Sequence, residues 1–363
     1  MKRCMLCKNI PLTLFSHWQL RSVVSSPKQN IVYYPSGQDI IRLNTKTRER
    51  EIVTTLSFSP RCLAASKDWL AIGGELGDYT AVFVGDASTA SEFVARTEAD
   101  ADARLPLSLD IPRNSSSRDE SSSSRTSRGL RYHLFPEAKK IGTDIVNSIT
   151  LWYPPSDGSK RIYRMPVAVI ASNDCSVCIM SLQDLETLQK LTFPDPVNRA
   201  VISPDGELLV AVGDDPYLYV YKRKSKSAPK NRFESKRDVH YEWAMADRIQ
   251  IQGQRESDKT QHRGSFAASF SQSGKYFAIG TQYGIISVFL TCALIKEDHD
   301  PLIVAFTTSR PSEQAGAVRA LEFSSGPFDL LAWTEHDGRC GVAEYVNSLK
   351  TSLRPKILLV ASC

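Results

Sequence analysis

The sequence has no long apolar run. In a chain of 363 residues, candidates such as Ile357-Leu358-Leu359-Val360-Ala361 fall far short of the roughly 20 residues a membrane-spanning helix needs. A secretory leader is missing as well. Lys8 and Pro11 interrupt the apolar residues between Met1 and Phe15, so no continuous hydrophobic stretch follows Lys2 and Arg3. These absences predict an intracellular protein, cytoplasmic or nuclear, with no membrane partner, and residues 1–16 are expected to be disordered.

The eight cysteines are too few for a disulfide framework in a chain this long. Cys62, Cys178, Cys292 and Cys340 stand in apolar, strand-like surroundings, where a reduced cysteine packs as a small hydrophobe. Cys4-Met5-Leu6-Cys7 has the spacing of half a zinc site, but no second pair completes four ligands. Catalytic constellations are absent too. The six histidines are scattered, and neither a Gly-x-Ser-x-Gly elbow nor a Gly-rich loop ending in Gly-Lys-Ser/Thr occurs. Gly73-Gly74-Glu75-Leu76-Gly77 precedes no helix and suits a hairpin, whose positive φ glycine supplies. The expectation is a non-enzymatic protein with no cofactor and no metal. The net charge of +5 is too small to argue for nucleic acid by itself.

What the sequence does have is an internal repeat. Val201-Ile202-Ser203-Pro204-Asp205-Gly206 followed by Leu208 to Gly213 matches Ser269-Phe270-Ser271-Gln272-Ser273-Gly274 followed by Tyr276 to Gly280. Both read strand, Ser-x-x-Gly turn, strand, glycine. Leu321 to Trp333 is a third copy and Cys62 to Gly73 a weaker fourth. A further apolar strand follows each, clearest in Thr80 to Val84, Tyr217 to Tyr221 and Ile285 to Phe289, with Ser176 to Met180 of the same form. Short runs rich in β-branched and aromatic residues, separated by Gly, Pro, Asp and Ser, are hairpin-linked strands. One four-stranded sheet cannot bury both faces, so several stack radially.

These copies resemble degenerate WD40 repeats, which implies an all-β propeller with disordered loop insertions. In that family an aspartate commonly occupies the turn between the second and third strands. Asp174 and Asp215 match it, and by the same count so do Asp78 and Asp337, each expected to fix its turn; Tyr283 replaces it in the copy ending at Phe289. The closing Trp-Asp and the opening Gly-His pair are absent, so the usual hydrogen-bond network does not carry over. Six blades are counted, near 19–56, 61–96, 141–193, 197–252, 264–308 and 316–361. The spacing from Asp78 to Asp174 is about two ordinary repeats and leaves room for a seventh. Only Ser181 to Gln189 could form a helical turn.

A narrower likeness joins His17-Trp18-Gln19-Leu20-Arg21, Val32 to Gly37, Asn198-Arg199-Ala200 and Gly326 to His336. These segments resemble a family of fungal WD40-like proteins with a short C-terminal domain of unknown function, matched here over 316–344 as the last blade. The resemblance implies a fold and assigns no activity. The chain stops soon after that segment, as a shortened member would.

The expected organisation is one propeller over 17–361 with insertions at 98–128 and 222–263. The first insertion holds a Ser/Arg run with no apolar residue after Ile111, so ordering it would cost entropy with no burial to offset it. Its arginines make Ser115, Ser116, Ser121 and Ser127 candidates for basophilic kinases. In the second, Lys222, Arg223, Lys224, Lys226, Lys230, Arg232, Lys236 and Arg237 face a single acid, Glu234. That run could serve as a nuclear-localisation signal or contact phosphate backbones, though Phe233 alone makes no stacking platform. The favoured function is a scaffold for protein or peptide partners. The alternative is a nuclear or nucleic-acid-associated protein acting through 222–237.

Overall fold

A computed structural model of the chain describes residues 22–85, 138–155, 163, 165–225, 241–260, 263–296, 299–308, 316–325, 330–344 and 356–362. Its strands pair into six four-stranded antiparallel sheets, each following chain order. Blade 1 contains β1 (Ser25–Lys28), β2 (Ile31–Ser36), β3 (Asp39–Asn44) and β4 (Arg50–Thr55). Blade 2 contains β5 (Pro60–Ser66), β6 (Trp69–Gly74), β7 (Asp78–Phe83) and β8 (Lys139–Lys140). Blade 3 contains β9 (Val146–Trp152), β10 (Val167–Ser172), β11 (Ser176–Ser181) and β12 (Thr187–Thr192). Blade 4 contains β13 (Val197–Ile202), β14 (Leu208–Gly213), β15 (Tyr217–Ser225) and β16 (Tyr241–Gln250). Blade 5 contains β17 (Ser265–Phe270), β18 (Tyr276–Thr281), β19 (Ile285–Leu290) and β20 (Leu302–Thr307). Blade 6 contains β21 (Val318–Phe323), β22 (Leu330–Glu335), β23 (Arg339–Glu344) and β24 (Lys356–Ser362). First strands of successive blades lie side by side from β1 through β5, β9, β13 and β17 to β21. They are therefore innermost, and the sheets radiate as a propeller.

The serine turns between first and second strands of blades 4, 5 and 6 work by one device. The serine hydroxyl at the end of the first strand accepts the N–H that opens the second: Leu208 to Ser203 at 2.9 Å, Tyr276 to Ser271 at 3.0 Å and Leu330 to Ser324 at 3.2 Å. Gly206 and Gly274 take φ of 72° and 70°, which a side chain would resist.

The cores lie between blades, each built from facing sides of two neighbouring sheets. This explains why β6, β10, β14 and β18 are buried along their whole length. Trp333 is 2% exposed between blades 5 and 6, edge-on to Phe306 at 5.7 Å, with Nε1 donating to Glu335 Oε1 at 2.9 Å. Polar ties also cross the joints. Asn147 Nδ2 donates to the Val197 carbonyl at 2.9 Å, Thr150 Oγ1 to that of Ala200 at 2.7 Å and Trp152 Nε1 to that of Ser203 at 3.0 Å.

Three sequence expectations shift. Blade 2 does not complete itself within 61–96: its fourth strand is Lys139–Lys140, paired with Tyr79 and Asp78. The long spacing after Asp78 is thus chain inserted between β7 and β8, and the described residues form six sheets and no seventh. The segment 222–263 is partly sheet, because the register of β15 with β16 runs on from Tyr217↔Gln250 to Ser225↔Tyr241. Ser181 to Gln189 forms no helix: β11 ends at Ser181, β12 begins at Thr187, and Leu185 reverses the chain at φ 57°.

Candidate interaction face

Antiparallel order and side-by-side first strands place every second-to-third-strand turn on one face, around the start of the innermost strands. There the first strand of each of blades 2 to 6 carries a β-bulge at its second residue. The pairing steps over Arg61, Asn147, Asn198, Phe266 and Arg319. A bulge re-aims the side chain it carries, and here the polar ones turn toward the first residue of a three-residue turn. Arg61 Nη2 lies 2.6 Å from Glu75 Oε1, Asn147 Nδ2 3.4 Å from Asn173 Oδ1, and Asn198 Nδ2 2.7 Å from Asp214 Oδ1. Blade 5 has Phe266 at the bulge, so Arg319 of blade 6 bonds Gln282 Oε1 at 3.0 Å and sets its guanidinium 5.2 Å from the Phe266 ring centre. The same turn residues are anchored by their N–H groups to the residue before the strand: Asn173 to Ile145, Asp214 to Pro196, Gln282 to Gly264 and His336 to Ala317, all at 2.8–3.0 Å.

Asp174, Asp215 and Asp337 occupy the middle of these turns, as does Tyr283. Asp174 accepts a 2.5 Å bond from Ser176 Oγ and pairs with Lys190 at 3.5 Å. Burial alone would raise its carboxyl; the Ser176 and Ser172 hydroxyls and Lys190 outweigh that and hold it below its usual range. Asp215 is buried and accepts from the Tyr217 N–H at 3.3 Å and the Tyr219 hydroxyl, yet burial wins and raises it. Where blade 5 lacks the aspartate, Tyr283 donates to Asp258 Oδ2 at 2.5 Å from the preceding connection. Asp337 lies in a short 3-10 turn, and its side chain is outside the described residues. Asp78 is not equivalent. The turn of blade 2 is Glu75-Leu76-Gly77 with Leu76 in the middle, because Gly73 pairs with Tyr79. Asp78 instead opens β7 and pairs with Lys140 at 2.7 Å, tying down the outer strand.

Over blades 3 and 4 this face carries several carboxylates, two of them ion-paired: Asp174 with Lys190 and Asp195 with Arg263, each at 3.5 Å. Burial, then the fields of Asp195, Asp174, Asp214 and Asp144, push the Cys175 thiol up. Beneath them Asn147 Oδ1 is buried without a hydrogen-bond partner among the described residues.

The basic run leaves from the opposite face, between the third and fourth strands of blade 4. Lys222, Arg223 and Lys224 belong to β15. Arg223 is committed, ion-paired with Glu207 and lying 4.7 Å from the Tyr241 ring centre. Lys226, Lys230, Arg232, Lys236 and Arg237 lie outside the described residues, as do Ser115, Ser116, Ser121 and Ser127 and the segments 1–16 and 98–128. Sequence reasoning missed the bulge ring. Its one local signal is a polar or aromatic residue at the second position of each first strand, amid apolar neighbours.

The sheets and turns define the class: this is a six-bladed β-propeller of the WD40-like kind. Residues 316–347 match the model of an uncharacterised protein domain, DUF2415, which covers β21 to β23. The chain is 23% identical over 328 residues to Uncharacterized protein C4G3.03 of Schizosaccharomyces pombe, covering 88% of this chain and 71% of that protein. It is 30% identical over 190 residues to Uncharacterized protein YLR149C of Saccharomyces cerevisiae, covering 47% of this chain but only 24% of the relative. Among solved structures, a chain of a mitotic checkpoint complex superposes with a TM-score of 0.57 at 11% identity, covering 94% of this chain and 77% of its own. Sqt1 of Chaetomium thermophilum superposes with 0.55 at 16% identity, covering 94% and 73%. At those identities the likeness shows the fold. No helix among the described residues is long and apolar enough to cross a membrane.

Proposed function

We propose that the protein is a non-enzymatic interaction scaffold that binds a protein partner on the face bearing the bulge ring. The observation that carries this reading is the concentration there of re-aimed side chains on a rigid frame: Arg61, Asn147, Asn198 and Arg319, each held by a turn residue. Side chains positioned by bulges on sheets lose little entropy on binding, which favours a recognition surface. One structural neighbour is a chain of a multiprotein assembly, the mitotic checkpoint complex. Over blades 3 and 4 the matching partner surface is cationic, a partner's cations competing with Lys190 and Arg263 for Asp174 and Asp195. The basic strand end and loop of 222–237 carry the second reading, nucleic-acid association, from the opposite face.

The test is co-purification from source-cell extract with three tagged proteins: wild type, Asp174→Lys/Asp195→Lys, and a chain lacking 226–237. Partners retained by the loop deletion but lost from the charge-reversed face support the scaffold reading. Partners lost only with the loop, or bound nucleic acid whose retention falls steeply with salt, would replace it with the second.

A further inference from the structure

We propose that Arg199 makes the central channel a receptor for a phosphate-type oxyanion, either free or carried on a side chain that enters the channel. Arg199 follows the Asn198 bulge in the innermost strand of blade 4. Its guanidinium reaches two other parts of the ring. Nε donates to the Phe266 carbonyl of blade 5 at 3.2 Å, and Nη2 to the hydroxyl of Ser22, ahead of blade 1, at 3.3 Å. Ser22 is itself fixed to blade 2, where its carbonyl accepts the Leu63 N–H at 2.7 Å. One side chain thus meets segments associated with blades 4, 5 and 2 where their innermost strands surround the axis.

The partners are both neutral. No carboxylate lies within ion-pair distance of Arg199 among the described residues, and the ionisable groups whose fields reach it are Cys62 and Glu322. The residue keeps partial exposure, yet enclosure by protein lowers its affinity for the proton from the usual arginine value. The guanidinium is thus largely enclosed while the residue keeps some contact with solvent. A guanidinium still charges at neutral pH under such enclosure, and a desolvated cation held by neutral acceptors lacks the compensation a counter-charge gives. Its planar fork matches a tetrahedral oxyanion, and such charge-assisted bonds are the strong ones. Arg319 lies over the ring of the same Phe266 whose carbonyl Arg199 holds, so two guanidinium groups flank the blade 5 bulge.

This inference is independent of the scaffold reading, because its probe is a small anion and needs no partner. The purified full chain would be titrated with sodium phosphate, and separately with O-phosphoserine against serine, at constant ionic strength set by chloride. Thermal midpoint and the phosphorus NMR line of the ligand would be followed. Saturable binding is expected, weakened roughly tenfold or more in Arg199→Met, as loss of a charge-assisted pair predicts, and partly restored in Arg199→Lys. Arg319→Gln should weaken it less. Phosphate binding without phosphoserine binding identifies a small free anion as the ligand; comparable binding of both identifies a channel open to a phosphorylated side chain. If Arg199→Met fails to fold, Arg199→Lys and the wild-type titration decide. No saturable binding to wild type, or equal binding by the Lys variant and wild type together with an unaffected Met variant, would overturn the proposal and leave Arg199 as a structural spoke.

Discussion

The inner blades and the end blades solve the same problem differently. In blade 5 the second strand is buried along its whole length, and Ala278, in its middle, has no exposed surface. Ala332 holds the same position in blade 6, by the register of both hairpins, and is exposed, as are Ala320, Glu322 and Thr334 on that side of the sheet. The difference is a neighbour. Blade 5 packs this side against Val318, Leu321 and Trp333 of blade 6, whereas β21 has no comparable packing back onto β1 among the described residues. Blade 1 shows the complementary condition. Ile31, Tyr33 and Ile40 pack on blade 2, while on its outer side Ile52 is 58% exposed. Burial of a blade face is thus decided by whether another blade covers it, since sheets of near-identical pattern differ only in that.

The sharpest way to break this comparison is one substitution made twice. Ala278→Glu places an unpaired charge in a closed joint and should cost ~4 kcal/mol or more, with loss of soluble protein. Ala332→Glu should stay within about 0.5 kcal/mol of wild type. Denaturant unfolding of the pair measures both, and equal losses would show that the blade 6 side is covered after all.

Trp333 tests the joint from its other wall. Trp333→Ala should cost about 3–5 kcal/mol, because it empties a large buried volume between blades 5 and 6. The ring rests against Gly341, where an added Cβ would lie 2.2 Å from it, so Gly341→Ala should also destabilise. A Trp333→Ala protein with an unchanged melting curve that loses a bound partner would move this residue from the core to the interface.

Gly280→Ala addresses the spacing of the blades. Its Cβ would meet Val318 Cγ1 at 2.3 Å, and Gly73 is similarly closed in by Val146 of blade 3 at 2.5 Å. A cost of roughly 1–3 kcal/mol is expected for each. Thr334, at the matching place in blade 6, already carries a side chain because no blade packs against that side among the described residues; Thr334→Gly should change stability by no more than the ~1 kcal/mol typical of glycine in a strand. Thermal unfolding of the three variants separates the cases.

The smallest effect concerns the two turn aspartates, which should respond to acid with opposite signs. Asp174 has a lowered proton affinity, so it contributes stability above the unfolded carboxylate value near ~4 that is lost as pH falls through its folded value. Asp215 has a raised affinity, so its ionisation opposes folding as pH rises from the unfolded value through the folded one. Asp174→Asn should flatten the loss of stability in acid and Asp215→Asn should relieve the penalty at neutral pH. The Asp174 change should stay under about 1 kcal/mol for a partly solvated, ion-paired group, and the pH dependence of both variants is read from urea midpoints between pH 3 and 7.

Much of this fold was legible because its causes are local. The alternation of Leu208 to Gly213 or Tyr276 to Gly280 fixes strands, and the Ser203 and Ser271 turns bond across only five residues. Fourth strands were harder to read. Lys139–Lys140 carries almost no apolar pattern, and an outer edge needs none, so pairing with Asp78 and Tyr79 defines it. Asp78 misled for a related reason: counting back from the strand end ignores register, and one shift in pairing moves a residue out of its turn.

Local runs of residues specify a propeller of short hairpin-linked sheets, since each alternation and the serine turns of blades 4, 5 and 6 are written within a few neighbouring residues. Which residues stand on the bulges, which blade face stays open and what Arg199 touches were decided only by tertiary structure. Arg199 meets a carbonyl 67 residues away and a hydroxyl 177 residues away. Contacts at that separation depend on how sheets are stacked and registered around an axis, a geometry set by the packing of whole faces and carried by no local run of residues.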